Sequence, residues 1–272
     1  MLDPLFVNIL LFLLCTLTLV TIVFIIAQIK GDNSVMDIAY GPTFFFATLG
    51  TIWLSGGTTA LGILTCSLIG LWSLRLSVRI WRKNYGKPED ARYAAWRKAW
   101  LGRGRGYFLL RSYLQINLLQ GAIIMIVALP FIVAHGMSTP SIYPLLSILG
   151  LIIFIIGLLY ETLADWQLDQ FLTRKRAGTE PAAIMQTGLF RYSRRPNYFG
   201  ETLIWWGLAI IVLPLSFGFI AILSPLLITY IVTKVTGPML EAVFLKKYPT
   251  EYSEYMRTTN YFVPSFLVPS RL

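Results

Sequence analysis

Long apolar runs separated by polar breaks set the pattern of this sequence. The first run, from Leu5 to Ala27, contains no charged residue, and a helix that crosses a bilayer needs about 20 apolar residues. Because unpaired backbone groups are costly in lipid, each such run should form a helix. The pattern therefore predicts an all-α integral membrane protein, a single domain over residues 1–272, with seven transmembrane helices at 5–29, 38–55, 58–78, 112–134, 142–164, 199–217 and 219–238.

Glycine and proline mark the breaks between these runs. Gly56-Gly57 separates the second run from the third, Thr139-Pro140 precedes the fifth, and Pro214 with Gly218 indicates a tight turn between the sixth and the seventh. The first run is too long for the core of a signal peptide and follows no basic leader. We therefore expect it to remain as a permanent span.

Composition and charge agree with a membrane protein. The chain is 56% hydrophobic and 13% charged, about half the charged fraction of a soluble domain. Lysine and arginine are concentrated in the loop 79–111, in the loop after the fifth span and in the C-terminal tail. The positive-inside rule then predicts a multi-pass protein with its N-terminus outside and its C-terminus in the cytoplasm. The net charge of +10 follows from this asymmetry, so no nucleic-acid partner is expected.

Few residues are available for metal or thiol chemistry. Both cysteines, Cys15 and Cys66, lie within apolar runs, and His135 is the single histidine. We expect neither a metal site nor a His-based catalytic triad. The chain also lacks GxGxxG after a strand pattern and GxxxxGK[ST], which excludes a Rossmann domain and a P-loop. A bound phosphate would therefore have to be held by side chains and helix ends.

Acidic residues recur at helical spacing where the fifth span ends. Glu161, Asp165 and Asp169 are four residues apart and share one face of a helix. Ionisable groups at such depth often mark functional sites. The alternative is a solvated exit turn in which these acids pair with Arg174 and Lys175.

The segment from 188 to 207 is the densest in polar side chains. Pro196 suits the first position of a helix, and Arg194 and Arg195 directly precede it. Arginines at a helix start form an arrangement that binds phosphate. Asn197 and Glu201 follow one turn apart, and a carboxylate among apolar neighbours must be paired or line a wet cavity. Interfacial snorkelling explains the arginines but not this pair, so we favour a ligand site.

The start of the second span carries a further acid, Asp37. The residues from Ser34 to Asp37 fit a capping box, which would give the acid a structural role. Tyr40 lies almost one turn further on, and an acid with a phenol can polarise a carbonyl by hydrogen bonding. After the third span, residues 79–105 are expected to form one basic, aromatic helix that anchors at the membrane surface or contacts a ligand.

The residues from Gly188 to Glu201 resemble the C-terminal signature of the steroid 5α-reductase family, of which this chain would be a bacterial homologue. The Tyr-Ser-Arg-Arg-Pro-Asn-Tyr-Phe-Gly-Glu core carries the likeness, although Arg195-Pro196 stands where relatives often have His-Pro. Further matches are Glu161 with Asp165, Arg103-Gly-Arg105, Leu119-Gln120-Gly121 and Tyr248…Tyr255…Pro264. The resemblance extends over the chain from about residue 75 onward.

The resemblance implies an NADPH-dependent oxidoreductase that acts on CH–CH groups. In that family, seven helices enclose NADPH in a cytoplasm-facing cavity, and hydride passes to the β-carbon of a 3-oxo-4-ene steroid to give the 5α-reduced product. Spans 5–78 would form the substrate side and residues 79–272 the cofactor-binding side. Asp37 and Tyr40 are the candidate catalytic pair, with Asp37 protonated through burial. The expected NADPH contacts are Asp165, Asn197, Glu201, Tyr248, Arg79, Arg103, Arg105, Tyr192, Arg194 and Arg195.

Two other functions remain open. The C-terminal layout also resembles isoprenylcysteine and phospholipid methyltransferases, which bind S-adenosylmethionine, and Glu241…Tyr252…Tyr255…Pro264 fits their pattern. A transporter or lipid-binding receptor is the non-enzymatic alternative, but the chain lacks the repeated halves common in transporters. The expected partners are membrane lipids and an apolar, steroid-like substrate that enters a monomer from the bilayer.

Overall fold

The computed structural model describes residues 3–136 and 144–265, which are helical with no strand among them. The predicted break at Thr139-Pro140 and the first two residues of the predicted segment 142–164 lie outside this range. The α-helices are α1 (Pro4–Lys30), α2 (Val35–Ser55), α3 (Ala60–Asn84), α4 (Ala91–Leu101), α5 (Arg105–Ser112), α6 (Leu119–Val127), α7 (Leu129–Gly136), α8 (Pro144–Arg176), α9 (Pro196–Val212), α10 (Leu223–Tyr230), α11 (Gly237–Lys247) and α12 (Pro249–Thr258). π-Helical turns, Tyr113–Leu118 and Ile231–Thr236, join α5 to α6 and α10 to α11.

Six helical stretches in the described residues are long and apolar enough to cross a membrane. This confirms a multi-pass, all-helical membrane protein. The predicted sixth segment, 199–217, forms helix α9, which has 17 residues and is shorter than the other candidates. The six stretches are Pro4–Lys30, Val35–Ser55, Ala60–Asn84, Arg105–Val127, Leu145–Arg176 and Gly218–Lys247.

The described residues form two compact units. The first contains 3–136 and 215–221, and the second contains 144–214 and 222–265. The division of the chain at residue 79 into a substrate side and a cofactor-binding side stays a prediction.

The first unit is built on α1, α2 and α3, which pack in sequence, with α7 against α1 and α3. Aromatic side chains fill its core: the rings of Phe12 and Phe131 lie 6.0 Å apart, and those of Phe44 and Trp72 lie 5.3 Å apart. The predicted break at Gly56 is confirmed, because this residue ends α2 with a φ of 78°, a conformation that glycine adopts without steric cost.

Two local predictions in this unit are wrong. Residues 79–105 do not form one helix, because α3 ends at Asn84 and α4 begins only at Ala91. Gly86 takes a φ of 70° in the connection, which ends the helix. The capping box is also absent, since the Ser34 side chain makes no bond to α2. Its hydroxyl donates to Asp32 and accepts the backbone N–H of Asp90 at 3.0 Å, so it joins two loops instead.

In the second unit, α8 and α9 pack antiparallel with their backbones in direct contact. Glycines seven residues apart on each helix make this approach possible. A Cβ placed on Gly150 would lie 2.6 Å from the carbonyl oxygen of Gly207, and one on Gly157 would lie 2.8 Å from that of Gly200. Because helices this close leave no room for side chains at the contact, the glycine pairs fix the register of the two helices.

The residues that follow α12 bind back onto the segment before α9. The backbone N–H of Arg194 donates to Asn260 O at 2.8 Å, and that of Ser265 donates to Tyr192 O at 2.9 Å. The Tyr261 hydroxyl donates to Val232 O at 2.6 Å, within the π-helical turn between α10 and α11. The start of α9 is therefore held by chain segments on two sides.

Candidate functional site

The first turn of α9 presents an arginine beside free backbone donors. Arg195 is the N-cap residue of α9, with a φ of −136°, and Pro196 takes the first helical position. The Arg195 side chain makes no capping hydrogen bond to this end of the helix. The first N–H groups of a helix have no partner within it, and they carry partial positive charge. This end of α9 therefore favours an anion.

Arg194 is held by the protein itself. Its Nε donates to Glu241 Oε1 at 2.8 Å, and its Nη1 donates to Thr259 O at 2.6 Å and to Met256 O at 3.1 Å. The residue is 8% exposed. Three of the five guanidinium donors are thus engaged, which gives Arg194 a structural role in tying α9 to α11 and to the end of α12. Contact of Arg194 with NADPH stays a prediction.

Arg195 differs from its neighbour. Its Nε and Nη2 atoms are buried and have no hydrogen-bond partner among the described residues. The guanidinium lies 5.4 Å from the ring centre of Phe244 and 6.0 Å from that of Tyr198. Leaving charged donors buried without an acceptor is costly, and aromatic faces offset that cost only in part. An anionic ligand would complete the hydrogen bonding of Arg195.

Two acids from the predicted set lie near the same helix end. The charges of Arg195, Glu201 and Asp165 all act on the hydroxyl of Tyr198. Asp165 is 4% exposed and lies on α8, whereas Glu201 is half-buried on α9. The charges of Asp165, Arg195 and Glu201 are therefore within electrostatic range of Tyr198, a residue outside the predicted set. Its place in the Arg-Pro-Asn-Tyr segment was the available signal.

The acids that recur along α8 differ in how deeply they are buried. Glu161 is 5% exposed and its backbone contacts Gly200, whereas Asp169 is exposed. The two cations that offered an alternative explanation have partners of their own. Arg174 Nη2 lies 3.0 Å from Glu180 Oε2, and Lys175 Nζ donates to Ala182 O at 2.6 Å.

The remaining predicted residues of this unit take different positions. Asn197 is half-buried in the first turn of α9. Tyr248 begins α12 and packs against a cluster of Ile184, Tyr252 and Tyr255, which gives it a packing role. The carbonyl of Tyr192 accepts the Ser265 N–H at 2.9 Å. Contact of these side chains with a cofactor stays a prediction.

In the first unit, Asp37 is bound by residues of α4. Its Oδ1 accepts the Tyr93 hydroxyl at 2.5 Å, and its Oδ2 lies 3.3 Å from Arg92 Nη2. Tyr40 instead packs its ring edge against Phe44 at 5.1 Å. The phenol that contacts Asp37 is therefore Tyr93, and both carboxyl oxygens act as acceptors. Sequence reasoning placed Tyr93 only on an aromatic face, because nothing in the sequence brings α4 to the start of α2.

The loop beside Asp37 is fixed by ion pairs. Arg97 donates to both carboxylate oxygens of Glu89 at 2.9 Å, and Glu89 also accepts the Asn33 backbone N–H at 2.7 Å. Burial raises the pKa of Tyr93 above its ordinary value, and the Asp37 charge adds to this shift. Burial opposes ionisation of Asp90, but hydrogen bonds from the side chain and backbone of Arg92 prevail and lower its pKa. Because its pKa is raised, Tyr93 keeps its proton at neutral pH.

The three arginines of the first unit that were predicted to contact NADPH take different positions, and that contact stays a prediction. Arg79 is half-buried near the end of α3. Arg103 is exposed, and its Nη1 donates to the Tyr107 hydroxyl at 3.2 Å. Arg105 is exposed at the start of α5. Among the described residues, no group of three or more His, Cys, Asp or Glu could hold a metal ion.

Comparison with known proteins gives the family of this chain. No curated protein and no solved structure matches it. One family model, described as "Protein of unknown function (DUF1295)", matches residues 23–259. The match covers most of the chain, including Asp37 and the start of α9. The chain therefore belongs to the DUF1295 family.

Proposed function

We propose that this protein is an NADPH-dependent reductase of the C=C bond of an apolar enone, a 3-oxo-4-ene steroid or a similar lipid. The buried guanidinium of Arg195, with two donor nitrogens unpaired within the described residues, carries the proposal. Guanidinium donors at a helix start suit a phosphate group, because they offer directed hydrogen bonds together with positive charge. The cofactor would supply the hydride.

The residues around Arg195 fit a dinucleotide better than a simple inorganic anion. Phe244 and Tyr198 place aromatic faces within 6.0 Å of the guanidinium, which would let a planar base or ring pack beside the phosphate. Asn197 and Glu201 follow on the same helix and offer hydrogen-bonding groups to ribose or amide. Arg195 would bind phosphate, Asn197 and Glu201 would orient the cofactor, and Asp165 would support them from α8.

In the first unit, Asp37 and Tyr93 form the proposed carbonyl-polarising pair. The raised pKa of Tyr93 keeps its proton available for donation. A phenol that donates to a ketone oxygen stabilises negative charge developing there. The Tyr93 hydroxyl has one proton, which it donates to Asp37 in the free protein; on substrate binding it would turn that proton to the ketone oxygen, in place of the direct donation by Asp37 predicted from sequence. Tyr40 remains a predicted contributor to this pair.

We further propose seven spans, an outer N-terminus and a cytoplasmic C-terminus in a bacterial inner membrane. The 17 residues of α9 extend about 25 Å, slightly less than a hydrocarbon core of about 30 Å. Packing along the longer α8 supports α9 as the seventh span. The basic loops and the start of α9 would then face the cytoplasm, where the cofactor cavity would open. The apolar substrate would enter from the bilayer.

One observation favours a membrane methyltransferase as the second candidate. Carboxylates from Glu201 and Asp165 and aromatic rings surround the start of α9. Such a set also suits the sulfonium of S-adenosylmethionine, with Arg195 binding its carboxylate. The two candidates differ in the ligand that fits the same arginine, and cofactor binding separates them.

The test is thermal stabilisation of the detergent-purified protein by NADPH, NADH and S-adenosylmethionine. A ligand at 100 times its Kd stabilises the folded state by about 2.7 kcal/mol. We expect selective stabilisation by NADPH, with affinity reduced about 10- to 100-fold in Arg195→Gln because charged hydrogen bonds are lost. Arg191→Gln, an exposed arginine in the preceding turn, is the matched control and should leave binding unchanged.

The unliganded variants give a second readout. If Arg195 serves a ligand, Arg195→Gln should unfold at the same temperature as the parent or at a higher one, because it removes buried donors that have no acceptor within the described residues. A lower melting temperature in the absence of ligand would assign Arg195 to the fold. Selective stabilisation by S-adenosylmethionine would replace the reductase with the methyltransferase. A confirmed enone substrate then tests Tyr93→Phe, which should reduce kcat more than NADPH affinity.

A further inference from the structure

Exposed lysines and aromatic residues alternate from the last turns of α3 to α4. We name the six residues Trp81, Lys83, Tyr85, Lys87, Trp96 and Lys98 the basic–aromatic collar; all six are exposed. Trp81, Tyr85 and Trp96 are 51%, 72% and 44% exposed. Exposed aromatic side chains that occur together often mark an interaction surface. Three of them in one segment with three lysines indicate a partner that is both apolar and anionic.

Nearby acids offset the positive charge of the collar only in part. Between residues 81 and 98 the acids are Glu89 and Asp90. Glu89 accepts two bonds from Arg97 at 2.9 Å, and Asp90 accepts two from the Arg92 side chain at 3.0 and 3.4 Å. The Lys83 charge also acts on Asp90, and Lys87 Nζ donates to the Lys83 carbonyl. The three lysines form no ion pair with these two acids, whose bonds go to arginines, so positive charge stays in excess.

The position of the collar relative to a span selects the partner. Trp81 and Lys83 lie in the last turns of α3, which is a candidate membrane span ending at Asn84. Tryptophan and tyrosine concentrate at the depth of lipid headgroups, where the ring is partly apolar and the edge is hydrated. On α4, Tyr93 and Trp100 are buried while Trp96 and Lys98 are exposed. Trp96 lies at the border of the buried face, where its ring stacks on that of Trp100 at 5.8 Å and stays 44% exposed, whereas Lys98 lies on the opposite side of the helix.

We propose that the basic–aromatic collar binds anionic phospholipid headgroups of the membrane in which the protein resides. The lysines would contact the phosphates and the rings would insert between headgroups. A nucleic acid or a soluble anion satisfies the charge but offers no apolar phase to Trp81 and Trp96 at the end of a span. This proposal uses none of the residues assigned to the cofactor or to Asp37 and does not depend on the reductase.

The test measures lipid retention by the full chain. Native mass spectrometry counts phosphatidylglycerol and phosphatidylcholine bound after transfer from mixed micelles with equal amounts of both. Each basic residue near an anionic surface strengthens binding about fivefold. The triple variant Lys83→Gln, Lys87→Gln, Lys98→Gln should therefore bind phosphatidylglycerol on the order of 100-fold more weakly. The matched control removes the same charge from exposed residues of the second unit: Lys246→Gln, Lys247→Gln and Arg257→Gln.

Preferential retention of phosphatidylglycerol, lost in the collar variant and kept in the control, supports the proposal. Equal retention of the two lipids by the parent protein overturns it, as does an equal loss in both triple variants. Replacing the same three lysines by arginine preserves the charge and should preserve retention. Competition by millimolar inorganic phosphate would reassign the collar to soluble anions. A melting temperature equal to that of the parent shows that the variants are folded, and Trp96→Leu should lower retention with the charge unchanged.

Discussion

Gly200 of α9 contacts the backbone of Glu161 on α8: a Cβ added to Gly200 would lie 2.6 Å from Glu161 N and 2.7 Å from Glu161 Cβ. No side chain can occupy that space while the two helices keep their separation. The same contact places the buried Glu161 beside the first turns of α9. Asp165 follows Glu161 by one turn on α8. The packing of two helices therefore determines where the acids of the second unit lie.

We expect Gly200→Ala to destabilise the protein by about 1–3 kcal/mol, because the added methyl group meets backbone that cannot rotate away. Thermal unfolding in detergent measures the change. Gly106→Ala is the control, since a Cβ at that position in α5 meets nothing within 4 Å. An unchanged melting temperature in Gly200→Ala would show that α8 and α9 pack less closely than described.

Glu241→Gln should destabilise the second unit by about 3–5 kcal/mol. The substitution leaves the Arg194 guanidinium, which is 8% exposed, without its counter-charge. Because Arg194 also binds carbonyls at 256 and 259, we expect faster proteolysis after residue 250 as well as a lower melting temperature. Glu254→Gln, an exposed carboxylate on α12, is the matched control. Equal stability of the two variants would contradict the buried ion pair.

Tyr261→Phe should lower the free energy of unfolding by about 1 kcal/mol, the usual value of a single hydrogen bond. The lost bond is the one from the Tyr261 hydroxyl to Val232 O at 2.6 Å. Tyr230→Phe removes a hydroxyl from a ring that is 59% exposed and should have no effect. Hydrogen exchange over residues 231–237 should quicken in the first variant alone; protection that stays equal in both would remove Tyr261 from this role.

Acid should loosen the start of α4 through Asp90. This carboxyl accepts the backbone N–H of Arg92 at 2.9 Å, and its pKa in the folded protein lies below the ordinary value of 3.8. A lowered folded pKa gives stability that is present above about pH 4 and lost as the pH falls through the folded value. Hydrogen exchange of α4, corrected for the intrinsic rate, should therefore rise between pH 5 and pH 3. In Asp90→Asn this pH dependence should disappear.

The apolar pattern was sufficient to predict the long apolar helices but not the shorter helices between them. Runs such as 5–29 and 58–78 were recovered as α1 and α3 because hydrocarbon leaves the backbone no alternative to a helix. The turn at Gly56 followed from one residue. Local polar chemistry was less predictable: Ser34 fits a capping box by spacing, yet its hydroxyl binds Asp32 and Asp90, which a distant loop brings near.

The candidate sites depended on contacts between elements far apart in sequence. Spacing paired Asp37 with Tyr40, whereas the fold pairs Asp37 with Tyr93, which is 56 residues away. Likewise, Arg194 and Arg195 look equivalent in the sequence. The position of Glu241 on α11 gives the first an ion pair at 2.8 Å, whereas two nitrogens of the second are buried without a hydrogen-bond partner among the described residues. One-dimensional spacing describes a single helix face well, but it carries no information on which faces meet.

The paired glycines of α8 and α9 have a consequence for how such a protein can vary. Residues 150 and 207, and likewise 157 and 200, oppose each other at equal intervals, so the two helices are in contact at two fixed points. Insertions in the connection 177–195 would leave both glycine contacts in place. A single residue inserted in α8 between Gly157 and Glu161 would turn the acids by about 100° away from α9. Changes in chain length should therefore be tolerated in the connection but not within the contacting parts of α8 and α9.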